Sequence, residues 1–229
     1  MGIAAALVLL LVGVGGAWAA GAVELTGRSK AQSVAAAVNL RHSDLPTLSV
    51  QSNTLTAHDK ALNAQVTACI GETPESEFFA DVRSPNFVGP APSSLTISSE
   101  TQILPSVSMV TKDLAAIRRP HALSCLVNEL DTEFRATFPK SDTVGTSIVR
   151  LPSVVTGTDG AFAIRVTTVI HVKHGTTLAN VTVYDDEIGF AYGQAEVALT
   201  VSSTLTKPSS SLERHLAALL VQRASSAIG

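Results

Sequence analysis

"GAFAIRVTTVIHVKHGTTLANVTVYDD", Gly160 to Asp186, is the stretch on which the fold turns. Phe162, Ile164, Val166, Thr168, Ile170 and Val172 occupy every second position of its first half. Successive side chains of a strand point to opposite sheet faces, so this period of two predicts a strand with one apolar face. His174-Gly175 predicts a tight turn, and "TTLANVTVYDD" returns as a second strand. Strands joined so closely must run antiparallel. Working outward, "TSIVRLPSVV" before the pair and "AEVALTVSS" after it have the same character, the latter reached through "EIGFAYGQ".

Further upstream the period changes. "TAHDKALNAQVTACIG", Thr56 to Gly71, predicts a helix: Thr56 caps it, Asp59 suits the positive end of its dipole, and Gly71 takes the residue just past its end. Leu62, Val66, Cys69 and Ile70 fall on one stripe, which predicts that Cys69 faces inward. "EFFADVRSPNF" starts as a strand and breaks at Pro85; "SLTISSETQIL" alternates Leu95, Ile97, Ser99, Thr101 and Ile103 against polar neighbours, the pattern of a half-buried strand. "SVSMVTKDLAAIRRP" predicts a short helix with Met109, Leu114 and Ile117 inward, ended by Pro120. "PHALSCLVNELDTEFRATF" predicts another, with Leu123, Leu126, Val127, Leu130, Phe134 and Phe138 on its stripe and Cys125 beside it. The chain closes on "SSSLERHLAALLVQR", a Ser-capped helix with Leu212, Leu216, Leu219 and Leu220 inward. Helices flanking consecutive strands predict an α+β fold, an antiparallel sheet covered by helices, over residues 44–229. Residues 24–43 are expected to be a tether, although "SKAQSVAAAV" has helical composition.

Residues 1–23, "MGIAAALVLLLVGVGGAWAAGAV", carry no charge. About 20 such residues suffice for a helix to cross a bilayer, and Ala17-Trp18-Ala19 fits the small-x-small cleavage pattern. The segment is expected to be an apolar helix acting as a signal peptide or membrane anchor, which places the remainder outside the cytoplasmic membrane. No Lys or Arg precedes it, while Arg28 and Lys30 follow, against the usual charge rule; a basic region encoded further upstream is the expected resolution.

Composition removes several function classes. Charged residues are only 15% of the 229, the net charge is −3 and no basic block occurs, so no electrostatic footprint for nucleic acid is present. Aromatics at 4% leave few stacking platforms. No Gly-rich phosphate loop, G-x-S-x-G, H-E-x-x-H or dinucleotide fingerprint appears. His171 and His174, three apart on a strand, are expected on opposite faces as ordinary surface residues. Asp185-Asp186-Glu187 is expected to be a solvated turn rather than a calcium site, and Asn180-Val181-Thr182 a glycosylation signal by coincidence, being mid-strand. No metal, cofactor or catalytic residue is assigned.

Cys69 and Cys125 are the only cysteines. A bridge, a metal site and a reactive thiol are the choices; two cysteines without a CxxC pair or a matching set of histidines make a poor zinc site, and no nucleophile signature surrounds either. In an oxidising compartment an isolated pair is most simply a disulfide, with two free core thiols as the other possibility.

"DLPTLSV", the helix ending "ACIG", "DVRSPNF", "DLAAIRRPHALSCL" and "GQAEVALTV", in this order from Asp44 to Arg223, resemble an actinobacterial extracytoplasmic family with a PsbP-like α/β sandwich. That family includes LpqN-type lipoproteins and sensor domains of receptor serine/threonine kinases. The resemblance implies cysteines paired at the places of Cys69 and Cys125, and it implies no shared active site. This chain departs from it in lacking a lipidation cysteine and a kinase domain. The expected function is therefore an exported, non-catalytic binding or sensor module of the cell envelope, holding a small apolar or envelope ligand or a protein partner. Membrane contact, if kept, would be through residues 1–23. The alternative is an envelope hydrolase, for which Asp131, Glu133, Glu187 and Glu196 are the carboxylates to suspect.

Overall fold

Strands β6 (Gly160–His174) and β7 (Thr177–Tyr192) form the expected antiparallel pair in the computed structural model, which describes residue 25 and residues 27–90, 94–137, 143–174 and 177–229. His174 lies opposite Thr177; the turn residues Gly175 and Thr176, Phe138 and the whole of 1–23 lie outside the described residues. From this hairpin an eight-stranded, wholly antiparallel sheet extends both ways. β5 (Thr143–Arg150) borders β6 at one edge, while β8 (Ala195–Thr204) joins β7 through the turn Gly193-Gln194, where Gly193 has φ 57°. β4 (Thr96–Ile103) pairs with β8.

Beyond β4 the sheet is discontinuous. β2 (Ala80–Arg83) and β3 (Asn86–Val88) share the outer edge of β4, separated by Pro85, which has no N–H to give to a ladder. Ser84 bridges the gap: its N–H donates to Ser99 O at 2.8 Å, and its hydroxyl accepts from Ser99 N at 2.8 Å. The short β1 (Ser49–Gln51) completes this edge on β3.

Both faces of the sheet are covered. Helices α2 (Ala57–Ile70), α3 (Val107–Ala116) and α4 (Pro120–Thr137) lie on one, burying Leu62, Val66, Ile70, Leu114, Ile117, Leu126 and Leu130 against Phe162, Ile164 and Val166. On the other, α5 (Ser210–Ile228) places Leu216, Leu220 and Ile228 on Phe87, Ile97, Phe190, Val197 and Val201. α1 (Arg28–Val38) joins α5 there with Ala31, Ala35 and Val38 fully buried, and Leu25 is buried ahead of it, its N–H donating to Gln194 Oε1 at 2.6 Å. Residues expected to be a tether thus contribute to the second core. Arg223 fastens the link after α1, reaching Asp44 with both guanidinium nitrogens at 2.7–2.8 Å and Asn39 O at 2.9 Å.

Local signals set the helix ends. Thr56 Oγ1 accepts from Asp59 N while Asp59 Oδ2 accepts from Thr56 N, and Gly71 takes the left-handed conformation at φ 87°. The Ser106 hydroxyl caps α3, and Pro120 opens α4, where its missing N–H leaves no bond unmade. Ser209 does not cap α5 as expected; its hydroxyl lies 2.8 Å from that of Ser211.

Candidate functional site: an acidic cavity over strands β2, β4 and β8

The sheet register places Asp81, Gln102 and Glu196 in one cross-strand row on the side of α2 and α3, with Arg83 and Glu100 in the next row. α3 adds Asp113, and the segment after α2 adds Glu72, Thr73 and Glu75. These side chains, with Asn63, Thr67 and Phe78, line a cavity of about 40 Å³, room for a few water molecules.

Its polar groups are unevenly satisfied. Arg83 donates to Glu100 at 2.8 Å and stands 3.8 Å from Asp81; Gln102 Nε2 also donates to Glu100, at 2.8 Å. Asp113 accepts from both the backbone N–H and the hydroxyl of Thr73, at 2.9 and 3.0 Å. Glu196, only 3% exposed, has no hydrogen-bond partner at Oε1. Burial drives its pKa well above the carboxyl range, and the Asp113 charge adds to this. Glu100 is raised by burial and by Asp81, against the opposing pull of Arg83. Asp113 is raised by burial, opposed by Thr73. The cavity is acidic in composition, and burial favours the protonated form of three of its carboxyls.

Of the four suspected carboxylates, Glu196 alone reaches this cavity. Asp131 accepts from Thr146 N at 3.0 Å on α4, and Glu133 meets the exposed His58 at 2.6 Å. Glu187 is buried on β7, on the same sheet face as Glu196 but four residues out of register with it. Asp81, Glu100 and Asp113 were not among the expected site residues. The available signal was an acid within each strand segment, Asp81 in "EFFADVR", Glu100 in "SSETQ" and Glu196 in "QAEV"; the polar side of the Glu100 strand is the half expected to meet solvent.

Asp185-Asp186-Glu187 is no turn. β7 runs unbroken through all three, and each is buried. Alternation sends Asp185 and Glu187 toward α2–α4 and Asp186 toward α5, so the three cannot converge on one cation. Asp185 accepts the Ser202 hydroxyl, and burial pushes its pKa up to about 6. Asp186 pairs with Arg165 and meets Glu213 of α5, whose carboxyl is pushed up to about 8 by burial and by its hydrogen bond to Asp186. Among the described residues no group of three His, Cys, Asp or Glu is placed to hold a metal ion. His171 lies on β6, its ring 2.7 Å from Asn180 Oδ1 at the surface.

The sulfurs of Cys69 and Cys125 stand at bonding distance, 1.97 Å, with Cα atoms 6.3 Å apart, joining α2 to α4. Cys125, expected beside the stripe of α4, is buried, whereas Cys69, expected inward, is exposed: the inward stripe of α2 is Leu62, Val66 and Ile70, and the thiol lies at its margin. Among the described residues no helix is long and apolar enough to cross a membrane.

Comparison with known proteins returns no match: neither a protein-family model, nor a curated protein, nor a solved structure resembles the chain closely enough to assign it.

Proposed function

We propose that this protein is an exported, non-catalytic binding or sensor module of the cell envelope, of the PsbP-like kind its motifs resemble. The cavity beside Glu196 is the observation that carries the reading. Its carboxyls converge, which by itself suits acid catalysis as well as binding, and its size separates the two. A cavity of about 40 Å³ is a fraction of the roughly 150 Å³ that accepts a benzene ring. A recess of that size suits a small group better than a substrate held on both sides of a scissile bond. Its lining is polar, so the ligand is a small polar group rather than the apolar one expected.

Two cysteines at bonding distance support an oxidising compartment. Together with the apolar segment 1–23 they favour a location beyond the cytoplasmic membrane, secreted or held at its outer face. Fractionation of the native host with thiol counting on unfolded, non-reduced protein tests this. Recovery outside the cytosol with no free thiol is the expected result; recovery in the cytosol with two free thiols overturns the localisation. Assay against esters, amides and glycosides tests the other half, and turnover abolished by Glu196→Gln would install the hydrolase reading instead.

A further inference from the structure

Glu196 shares with Asp185 and Glu213 a buried carboxyl oxygen that lacks a partner, but of these three it alone lines the cavity. It is 3% exposed, it faces a cavity, and its Oε1 has no hydrogen-bond partner. A carboxyl oxygen withdrawn from water with nothing in its place is destabilising unless a ligand supplies the missing donor. The acids around it sharpen the demand: Asp113 from α3, Asp81 from β2, Glu100 from β4, and Glu72 and Glu75 after α2. Arg83, the one cation at the cavity, is already taken by Glu100 and Asp81.

We propose that this cavity is a receptor site for a small primary ammonium group, with the Glu196 carboxylate as its counter-ion. The inference rests on the binding-module reading and names its ligand class. An ammonium group has three donors and the volume of a water molecule, which suits a cavity of about 40 Å³. Glu196 supplies one acceptor. Gln102 lies directly opposite it across β4 and β8, and its amide nitrogen is committed to Glu100, so its oxygen supplies a second. The acids are not grouped as metal ligands, which separates an organic cation from an inorganic one.

In the empty site burial and Asp113 both favour the protonated form of Glu196. An entering ammonium reverses that balance, so binding must displace the proton. Affinity then rises with pH, tenfold for each pH unit over which Glu196 stays protonated in the empty site.

The test is titration of the full chain with methylammonium chloride between pH 6 and 8, in two buffers of different ionisation enthalpy, with methanol and sodium chloride as controls. Saturable binding of methylammonium alone, release of about one proton, and tightening with pH are the expected results. Glu196→Gln keeps the shape of the protonated acid; it should weaken methylammonium at least tenfold and abolish proton release, while melting no lower than the parent at pH 6. Asp113→Asn, which keeps an acceptor for Thr73, should weaken binding less and serves if the first variant does not fold. Equal binding by parent and Glu196→Gln, or equal binding of methanol, overturns the proposal. Absence of methylammonium binding beside a different small molecule retained by the exported protein would overturn it too, and would leave the binding-module reading standing.

Discussion

Asp185→Asn should convert a pH-dependent protein into a less pH-dependent one. Asp185 is fully buried in mid-strand, in a cross-strand row with Val166 and Ser202. Burial raises its pKa from 3.8 to about 6, the charge of Asp186 adds to this, and the Ser202 hydroxyl opposes it. The sign follows from proton counting. Between pH 4 and 6 the folded protein holds a proton on Asp185 that the unfolded chain has released, so stability falls as pH rises through that window and levels off above it. The gap corresponds to about 3 kcal/mol, present in full below pH 4 and lost by about pH 7. Asn matches the protonated acid in shape, keeps an oxygen for Ser202, and cannot ionise. Urea denaturation of both proteins at pH 4, 5, 6, 7 and 8 measures the effect. The variant should gain on the parent by about 3 kcal/mol across the series. Other raised carboxyls, Glu196 and Glu100 among them, tilt both curves equally and cancel in the difference. Two parallel curves would refute the assignment of a buried, proton-holding Asp185.

Replacing Cys69 and Cys125 together by Ala should lower stability by about 4 kcal/mol on the chain-entropy model for a separation of 56 residues, measured by denaturation without reductant. The fold should survive, since a chain of this size builds its core without staples. Ala35→Leu tests whether residues before Asp44 belong to the fold: Ala35 is fully buried, and an added isobutyl group should cost about 1–3 kcal/mol, whereas a tether would not register it. Glu213→Gln should match the parent in thermal stability below about pH 4.5, where folded and unfolded chains both hold the proton, gain on it steadily up to about pH 8, and keep a constant lead above that.

Most of the scaffold was legible because local rules and tertiary contacts agree. The alternation of Phe162, Ile164 and Val166 appears as one apolar face of β6; Thr56, Asp59 and Gly71 bound α2 as their chemistry requires; Pro85 breaks the strand it interrupts. Helix α1 was legible only as helical composition and not as part of the core, since its inward residues are mainly Ala31 and Ala35, which give little hydrophobic contrast with their neighbours. Small side chains are what let α1 lie close to α5 and β2, and the same property hides the helix in the pattern.

The acids were misread for a different reason. A period of two says which residues share a face; it does not say whether that face is wet. Where helices cover both sides of the sheet, the polar members opposite the apolar ones, Glu100, Glu187 and Glu196, are buried as well. Most buried polar groups find partners: Ser99 and Thr101 both donate to Asn39 Oδ1 at 3.0 Å. Glu196, like Asp185 at Oδ2 and Thr168 at Oγ1, departs from that rule at Oε1, and an unsatisfied buried acceptor costs about 1–3 kcal/mol. A leucine there would avoid the penalty, so packing does not explain the residue. A cation entering the cavity supplies the absent donor and recovers that free energy as affinity, which makes the least stable choice at this position the one that binds.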